Sequence, residues 1–208
     1  MAAYSLSEMF DHQIVSAVTS VANQYDLDPA ALMAITDVQS GGKVLAVING
    51  RAEPLIKFEW HYFQRRLSPP DRARAGNLCH SWSIAHSDNC EQQISSWALL
   101  NRAVEIDAQT ALESAFWGVG EILGMHWRWL GFTSVSELAD LCRRDVAGQV
   151  DLMMRYIDRA GLTGDVRARD WESFARGFNG RAYRKKRYHL KLAAAHGRWT
   201  RTVKGVKR

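Results

Sequence analysis

The segment DPAALMAITDVQSGG, residues 28–42, decides the fold class because it contains a complete helix signal. Asp28 is a preferred N-cap residue, and Pro29 suits the first helical position. Apolar residues follow at helical spacing, namely Leu32, Ile35 and Val38. Ser40-Gly41-Gly42 is then a stop signal. The segment predicts a helix that ends in small and polar residues.

The same kind of pattern continues on both sides of this segment. Further helices are predicted at residues 11–24, 55–67, 96–112 and 114–123, after the capping box at 134–137, and in two or three segments through Tyr156, Phe174 and Leu192. Asn49-Gly50 is a turn dipeptide in a β-branched stretch and indicates one short β-hairpin within residues 43–54. Residues 71–89 have the least ordered composition. The sequence therefore predicts a mostly α fold.

Length and composition are those of an ordinary soluble globular domain, with 208 residues of which 47% are hydrophobic and 24% charged. We expect one domain over residues 1–208, with a core of about 28–199 and a basic C-terminal tail at 200–208. No apolar run reaches the roughly 20 residues that a membrane-spanning helix needs. Residues 1–13 lack the basic start of a secretory signal, so we expect synthesis in the cytoplasm and delivery by another route.

Positive charge is concentrated at the C-terminal end. From Ser173 to Arg208 there are twelve Lys and Arg and no Asp or Glu, whereas the whole chain has a net charge of only +5. Such a segment attracts polyanions, whether nucleic acid, anionic lipid or an anionic cell wall. For its last ten residues, a solvated and frayed C-terminus is the plainer interpretation.

The three cysteines, Cys79, Cys90 and Cys142, do not form a paired disulfide framework and favour folding in a reducing compartment. Cys79 and Cys90 share a segment with His80 and His86, so a zinc site has to be weighed. Zinc knuckles and ribbons have ligand pairs two to four residues apart, which is not the spacing here. A polar loop with incidental thiols is the better interpretation, and we expect neither a metal nor a cofactor.

Four segments contain residues suited to acid–base chemistry on a sugar. They are residues 36–42 with Asp37 and Gln39, 58–63 with Glu59 and His61, 116–124 with Glu121, and 175–183 with Asn179 and Tyr183. Glycoside cleavage needs a carboxylic acid that protonates the leaving oxygen, and a second group that stabilises the cationic centre or activates water. Glycines let a ligand approach Glu121 closely, and an apolar setting would raise the pKa of this carboxyl group toward that of a general acid.

Each segment also has a plainer interpretation. Glu59 and His61 are more often an ion pair or satisfied surface groups than catalysts. Asn179-Gly180 is more often only a turn. Glu121 on a partly exposed helix is as often structural as functional. Taken singly, the segments are weak evidence for a function.

Taken together and in order, the four segments resemble a known family. From about residue 32 to residue 199, the chain is similar to the N-acetylmuramidase domain of phage and prophage endolysins, which reads approximately V-E-S-G-G, L-F-E-x-H-x-F, S-W-G-x-x-Q-I-M-G and F-A-x-x-Y-N-G-x-x-Y. The counterparts are VQSGG at 38–42, KFEWHYF at 57–63, FWGVGEILG at 116–124 and FARGFNGRAY at 174–183. The resemblance implies a lysozyme-like helical fold with a substrate cleft. It also implies cleavage of peptidoglycan between N-acetylmuramic acid and N-acetylglucosamine.

The departures from this pattern lie in the residues that carry the chemistry. The resemblance implies a general acid before Ser-Gly-Gly, where this chain has Gln39, and a glutamine in W-G-x-x-Q, where it has Glu121. An amide does not release a proton at neutral pH, so Gln39 is not the acid. The resemblance implies that the two segments face each other across the cleft. We therefore expect Glu121 to act as the acid, Glu59 or Asp37 to assist, and Gln39 to bind the substrate.

Other substrate contacts are expected from residues of the same segments, namely Ser40, His61, Trp117, Asn179 and Tyr183. Two alternatives stay open: a catalytically degenerate peptidoglycan-binding or tail-structural protein, and a lytic transglycosylase, whose wider pattern the chain also resembles. A nucleic-acid binder has the weakest support, because no helix-turn-helix or RNA-binding signature accompanies the basic run at 184–187. We expect the basic C-terminus to contact the anionic cell envelope instead.

Overall fold

The computed structural model describes residues 11–76 and 90–206 and divides the chain into two compact units. Unit 1 comprises Met1–Lys43 and Val150–Arg208, and unit 2 comprises Val44–Gln149. The prediction of a mostly α fold is confirmed. The single domain expected from the sequence, with its core at about 28–199, stays a prediction beside this division.

The elements follow in this order along the chain: α1 (His12–Gln24), α2 (Pro29–Ser40), β1 (Leu45–Ile48), β2 (Arg51–Pro54), β3 (Ile56–Phe58), α3 (Trp60–Arg66), α4 (Pro69–Ala75), α5 (Cys90–Val104), α6 (Ala108–Glu113), β4 (Ala115–Trp117), β5 (Ile122–Leu123), α7 (Val135–Arg144), α8 (Val146–Arg159), α9 (Thr163–Ala168), α10 (Trp171–Asn179) and α11 (Tyr188–Val206). Short 3-10 turns lie at Gly124–His126 and Gly180–Ala182. Helix α8 begins in unit 2 and continues in unit 1.

Helix α2 is the most buried element of unit 1. It packs against α1 and α11, and all of residues 30–37 are buried. Asp28 caps its start by accepting the Ala30 N–H at 3.0 Å, and Gly41 ends it in the left-handed conformation at φ +60°. The predicted start and stop signals are therefore confirmed. The polar last turn of α2 follows directly on the buried core.

Unit 2 contains two small antiparallel sheets. Strands β1 and β2 form a hairpin whose turn residues, Asn49 and Gly50, have φ values of 49° and 77°. Such positive values are what a two-residue hairpin turn requires, and the predicted hairpin is confirmed. The second sheet has the order β3-β4-β5, with Lys57 opposite Phe116 and Phe116 opposite Leu123.

Buried carboxylates tie the helices of unit 2 together. Glu113, at the end of α6, accepts from Trp127 Nε1 at 2.8 Å and pairs with Arg66 of α3. Glu53 of β2 accepts from Arg143 Nε at 2.9 Å and from Arg143 Nη2 at 2.6 Å. Buried charges persist when they are paired and hydrogen-bonded, so these carboxylates are structural.

The sequence interpretation is wrong where the strands are short. Residues 55–67, predicted as one helix, form β3 and then α3, and residues 114–123 form β4, a turn and β5 instead of a helix. Residues 96–112 divide between α5 and α6, and α4 extends to Ala75 within the segment interpreted as least ordered. Strands of two or three residues are too short to show a two-residue period, so helical spacing of apolar residues prevailed.

Other expectations fare differently. The capping box is confirmed, since Ser134 Oγ accepts the Glu137 N–H at 3.1 Å at the start of α7. Helix α11 runs to Val206, so most of the tail at 200–208 is helical. Residues 1–10 and the segment with Cys79, His80 and His86 lie outside the described residues, as does the side chain of Cys90.

Membrane-spanning helices and metal-ligand clusters can be considered for residues 11–76 and 90–206. None of the helices there has the length and apolar character to cross a membrane. Among the same described residues, no three His, Cys, Asp or Glu side chains are grouped as metal ligands would be.

Candidate functional site

Gln39 and Asn179 form a reciprocal amide pair in unit 1, although 140 residues separate them in the sequence. Gln39 Nε2 donates to Asn179 Oδ1 at 3.2 Å, and Asn179 Nδ2 donates to Gln39 Oε1 at 3.0 Å. Gln39 lies in the last turn of α2 and Asn179 ends α10. Both side chains are half-buried. The structure thus brings together two residues that the sequence placed in separate motifs.

This pairing has a chemical meaning for position 39. An amide offers one acceptor oxygen and one N–H donor to its partner, which is the same pattern that a protonated carboxyl group offers. An ionised carboxylate would offer only acceptors and would face the Asn179 oxygen unfavourably. The surroundings of Gln39 therefore suit a neutral group, and Gln39 stays neutral at every pH.

The other polar residues of this helix end are occupied within unit 1. Ser40 Oγ accepts the Gly42 N–H at 3.2 Å and closes the turn after α2. Asp37 is buried, and its Oδ2 accepts from Arg198 Nη2 at 3.0 Å and from Trp199 Nε1 at 3.1 Å. Asp37 therefore ties α2 to α11, and this structural role accounts for its presence.

Tyr183 is also held by neighbours in unit 1. Its hydroxyl donates to Glu172 Oε1 at 2.7 Å and accepts from Arg184 Nε at 2.9 Å, and the residue is buried. The Tyr183 hydroxyl, and after it the Arg184 guanidinium, keep the pKa of the Glu172 carboxyl below its usual range. The expected contact of Tyr183 with substrate stays a prediction.

Glu121 lies in the turn between β4 and β5, not on a helix, and its side chain is exposed. Its backbone has a φ of 48°, in the left-handed region, and its N–H donates to the Gly118 carbonyl at 3.0 Å. A non-glycine residue in this region costs roughly 1–2 kcal/mol, so the surrounding structure has to hold it there. The apolar helical setting expected from the sequence is not what the structure shows.

Glu59 lies at the junction of β3 and α3. Its carboxylate pairs with Lys57 Nζ at 2.7 Å, and its N–H donates to the Ser114 carbonyl at 2.8 Å. The ion-pair partner of Glu59 is thus Lys57, and the catalytic role expected of Glu59 stays a prediction. His61 lies two residues further on, in the exposed first turn of α3.

The register of the second sheet gives the separation of Glu59 and Glu121. Glu59 is level with Ser114, just before β4, and Glu121 is level with Gly118, just after it. Four steps along a strand correspond to about 13 Å, and the two strand spacings of about 4.8 Å between β3 and β5 bring the distance between the backbone positions to about 16 Å.

The aromatic residues of this region divide into buried and exposed ones. Trp117 is only 1% exposed, its Nε1 donates to the Leu112 carbonyl at 3.1 Å, and its ring meets Trp97 edge-on. Its expected contact with sugar stays a prediction beside this packing role. Met125 and Trp129, which the sequence analysis does not single out, follow Glu121 and are 44% and 40% exposed. Their presence in the aromatic stretch after the W-G motif was the available signal.

The mostly helical fold is the one that the resemblance implied, and comparison with known proteins identifies the family. The family model for N-acetylmuramidase matches residues 28–200. The crystal structure of Burkholderia AP3 phage endolysin is similar, with a TM-score of 0.69 and 28% sequence identity over 90% of this chain and 71% of that chain. No curated protein matches the chain.

The chain therefore belongs to the N-acetylmuramidase family, as its motifs indicated. It is a glycoside-hydrolase-type protein whose substrate is peptidoglycan. The prediction of a lysozyme-like fold is confirmed.

Proposed function

We propose that this chain is an endolysin-type enzyme that cleaves peptidoglycan between N-acetylmuramic acid and N-acetylglucosamine, in cell lysis or local wall degradation. Its family membership supports the substrate, and its similarity to a protein described as a phage endolysin supports the role. The enzyme reaches the wall after release or particle delivery, having been made in the cytoplasm.

Glu121 is the general acid of this proposal. The observation that carries it is the amide pair at Gln39, because a neutral amide locked to Asn179 leaves the family's acid position without a proton to give. Glu121 lies in the family's W-G-x-x-Q segment and has a side chain that solvent and substrate can reach. A positioned acid of this kind contributes about 10²–10⁴-fold to the rate.

Glu59 is the second carboxylate, acting as the base that activates water. Asp37 is a weaker choice because Arg198 and Trp199 occupy its carboxylate. As a base, Glu59 would have to lie about 6.5–9.5 Å from the Glu121 carboxyl group, which is the separation of an inverting enzyme. Lys57 Nζ lies 2.7 Å from the Glu59 carboxylate.

Sugar contacts are assigned to polar groups and one exposed aromatic surface. The second N–H of each amide in the Gln39–Asn179 pair points away from its partner and is available to a hydroxyl or acetamido group of the glycan. Ser40, His61, Trp117 and Tyr183 are retained as candidate contacts. Trp129 is added, because an exposed indole suits the apolar face of a pyranose ring.

Mass spectrometry of the muropeptides released from purified sacculi tests this function. Wild type should release products with a reducing N-acetylmuramic acid, and Glu121→Gln should release about 100-fold less or lower still. Glu105→Gln, an exposed glutamate of the same unit, is the matched control and should behave like wild type. Anhydro-muramic products would show a transglycosylase, and reducing N-acetylglucosamine would show that another bond is cut.

A second candidate function is peptidoglycan binding without cleavage, which the amide at position 39 also favours. A chain of this kind would bind sacculi and release nothing, and Gln39→Glu would then restore cleavage. The physical reason is that Asn179 Oδ1 would favour the protonated form of the introduced carboxyl group and raise its pKa. If wild type cleaves no peptidoglycan and Gln39→Glu does, the chain is a binding protein and not the enzyme proposed first.

The basic C-terminal region is proposed to attract the anionic envelope. Exposed cations of this region that lie outside the ion pairs of the described residues include Arg181, Lys185, Lys186, Arg187 and Lys191. Neutralising Lys185, Lys186 and Arg187 together should weaken sedimentation with sacculi at low salt, and the difference should vanish near 1 M salt, where the screening length is about 3 Å. Stronger binding to duplex DNA than to sacculi would overturn this partner.

A further inference from the structure

Gln149 is a buried glutamine of α8 that contacts the turn carrying Glu121. It is 1% exposed, and its Oε1 accepts the Val119 N–H at 3.2 Å. Val119 is itself buried and lies two residues before Glu121. Gln149 is thus the side-chain acceptor for the central backbone N–H of this turn, and all of these residues belong to unit 2.

The orientation of the Gln149 amide is fixed by this contact. Because Val119 presents a donor, only the amide oxygen can face it, and Nε2 must point the other way. Nε2 is buried there without a hydrogen-bond partner among the residues that the structure describes. A buried donor without a partner is unfavourable, and an apolar side chain of similar shape would avoid that cost. The hydrogen bond from the Val119 N–H to the Gln149 oxygen is therefore the interaction that accounts for a glutamine at this position.

Gly118 allows the β4–β5 turn to pack closely against the Gln149 side chain. A Cβ atom there would come within 3.2 Å of Gln149 Cβ and Cγ and within 2.7 Å of Cys142 Sγ. Gly118 also has a φ of 63°, which favours glycine. Cys142 is fully buried, and burial raises the pKa of its thiol, so it acts here as packing and not as a nucleophile. The turn is therefore held by the Val119–Gln149 hydrogen bond and by the close packing at Gly118.

From these contacts we infer that Gln149 is a positioning residue that holds the β4–β5 turn in the conformation that presents Glu121. Glu121 has a positive φ, and such a residue keeps its conformation only while its surroundings impose it. Loss of the Val119 hydrogen bond lets the turn relax. A displacement of 1 Å at a reacting group costs on the order of 10²-fold in rate. The inference rests on the proposed role of Glu121 for its effect on activity.

The test replaces Gln149 with methionine, which keeps the length and removes the acceptor. We expect Gln149→Met to lower kcat by about 10–100-fold with KM changed less than about 2-fold, and to speed hydrogen exchange of the Val119 amide by about 10-fold or more. Gln149→Glu restores an acceptor oxygen and should return both quantities toward wild type. Thr110→Val, another buried polar residue of unit 2, controls for lost stability and should change neither.

Two results would overturn the inference. They are wild-type exchange of the Val119 amide in Gln149→Met, and an unchanged kcat in a variant whose Val119 amide has lost its protection. Failure of the proposed function has a different signature, since Glu121→Gln would then keep wild-type activity. The Val119 exchange would still decide whether Gln149 holds the turn. If Gln149→Met does not fold, Gln149→Leu at reduced temperature gives the same comparison.

Discussion

The end of α2 and the β4–β5 turn carry the two residues exchanged relative to the family pattern, and they are built in different ways. The helix end is stabilised by local signals, with Asp28 at its start and Gly41 at its stop, and its amide pair is an addition to a helix that forms anyway. The turn has two- and three-residue strands and depends on distant partners such as Gln149. The neutral Gln39 thus lies on a helix stabilised by its own sequence, and the ionisable Glu121 lies in a turn that depends on distant contacts.

The largest effect should come from breaking the support of the turn. Gly124 follows β5, and a Cβ atom there would overlap the Leu112 carbonyl oxygen. Gly124→Ala should lower the free energy of unfolding by about 3 kcal/mol, as overpacking against backbone does. Gly76→Ala, where nothing lies within 4 Å, is the control and should change it by about 0.5 kcal/mol at most. Urea unfolding measures both, and equal values would contradict the packing argument.

The second-largest loss of stability is expected for Asp37→Ala at the end of α2. Its removal leaves the buried Trp199 N–H and the half-exposed Arg198 without their acceptor, at a cost of about 2 kcal/mol. Asp37→Asn keeps an acceptor oxygen and should keep wild-type cleavage per folded molecule. Clearing rates corrected for the folded fraction check this. Loss of cleavage in a fully folded Asp37→Asn would return Asp37 to the catalytic candidates.

The same contrast explains what the sequence could predict. Asp28, Pro29 and Gly41 act within one helix, so the start and end of α2 could be predicted from neighbouring residues alone. Strand β4 forms because Phe116 lies opposite Lys57, almost 60 residues earlier, and the spacing of apolar residues around Trp117 contains no trace of that partner. The sequence consequently predicts a helix for these residues.

The candidate site also has a part that the sequence predicts, the residues themselves, and a part that it does not, their contacts. The sequence order of four motifs identified Gln39, Glu59, Glu121 and Asn179, but their hydrogen bonds depend on tertiary packing. Nothing in the sequence near Gln149 indicates that its amide meets Val119, because the two residues are 30 positions apart and lie on different elements. Side-chain partners of this kind become visible only in three dimensions.

The exposed ring of Trp129, a few residues after the β4–β5 turn, gives a test of substrate binding near that turn. If its exposed ring contacts the glycan, Trp129→Ala should raise KM for soluble glycan about 5-fold and leave kcat nearly unchanged, since an aromatic contact contributes about 1 kcal/mol. Ile94→Ala, which also removes an exposed apolar side chain of unit 2, is the control. Equal KM values for both variants would remove Trp129 from the sugar contacts.

The smallest effect is a pH dependence of stability that the two units share. Burial raises the pKa of Asp28, but hydrogen bonds from His196 and the Ala30 N–H lower it more, to below its ordinary 3.8. Burial likewise raises the pKa of Glu113, but hydrogen bonds from Trp127 and Gln109 and the charge of Arg66 bring it below 4.5. Carboxylates with lowered pKa stabilise the fold above their unfolded values, and this contribution is lost as pH falls through the folded values.

Melting temperatures between pH 6 and pH 2.5 measure this dependence. Asp28→Asn should flatten the loss of stability below about pH 4, and Glu113→Gln below about pH 4.5. The comparison is informative because one carboxylate belongs to each unit. An acid limb that is as steep in both variants as in wild type would assign the loss to other carboxylates.

The rate at which purified sacculi are cleared tests the central claim most directly, measured for wild type, Glu121→Gln, Gln39→Glu and the double variant. If Glu121 is the general acid, wild type is active and Glu121→Gln loses about 100-fold or more of the clearing rate. Activity in the double variant would show that the helix end can still accept the acid. Undiminished clearing by Glu121→Gln, or clearing that appears only when Gln39→Glu is present, would contradict the assignment of the acid to the turn.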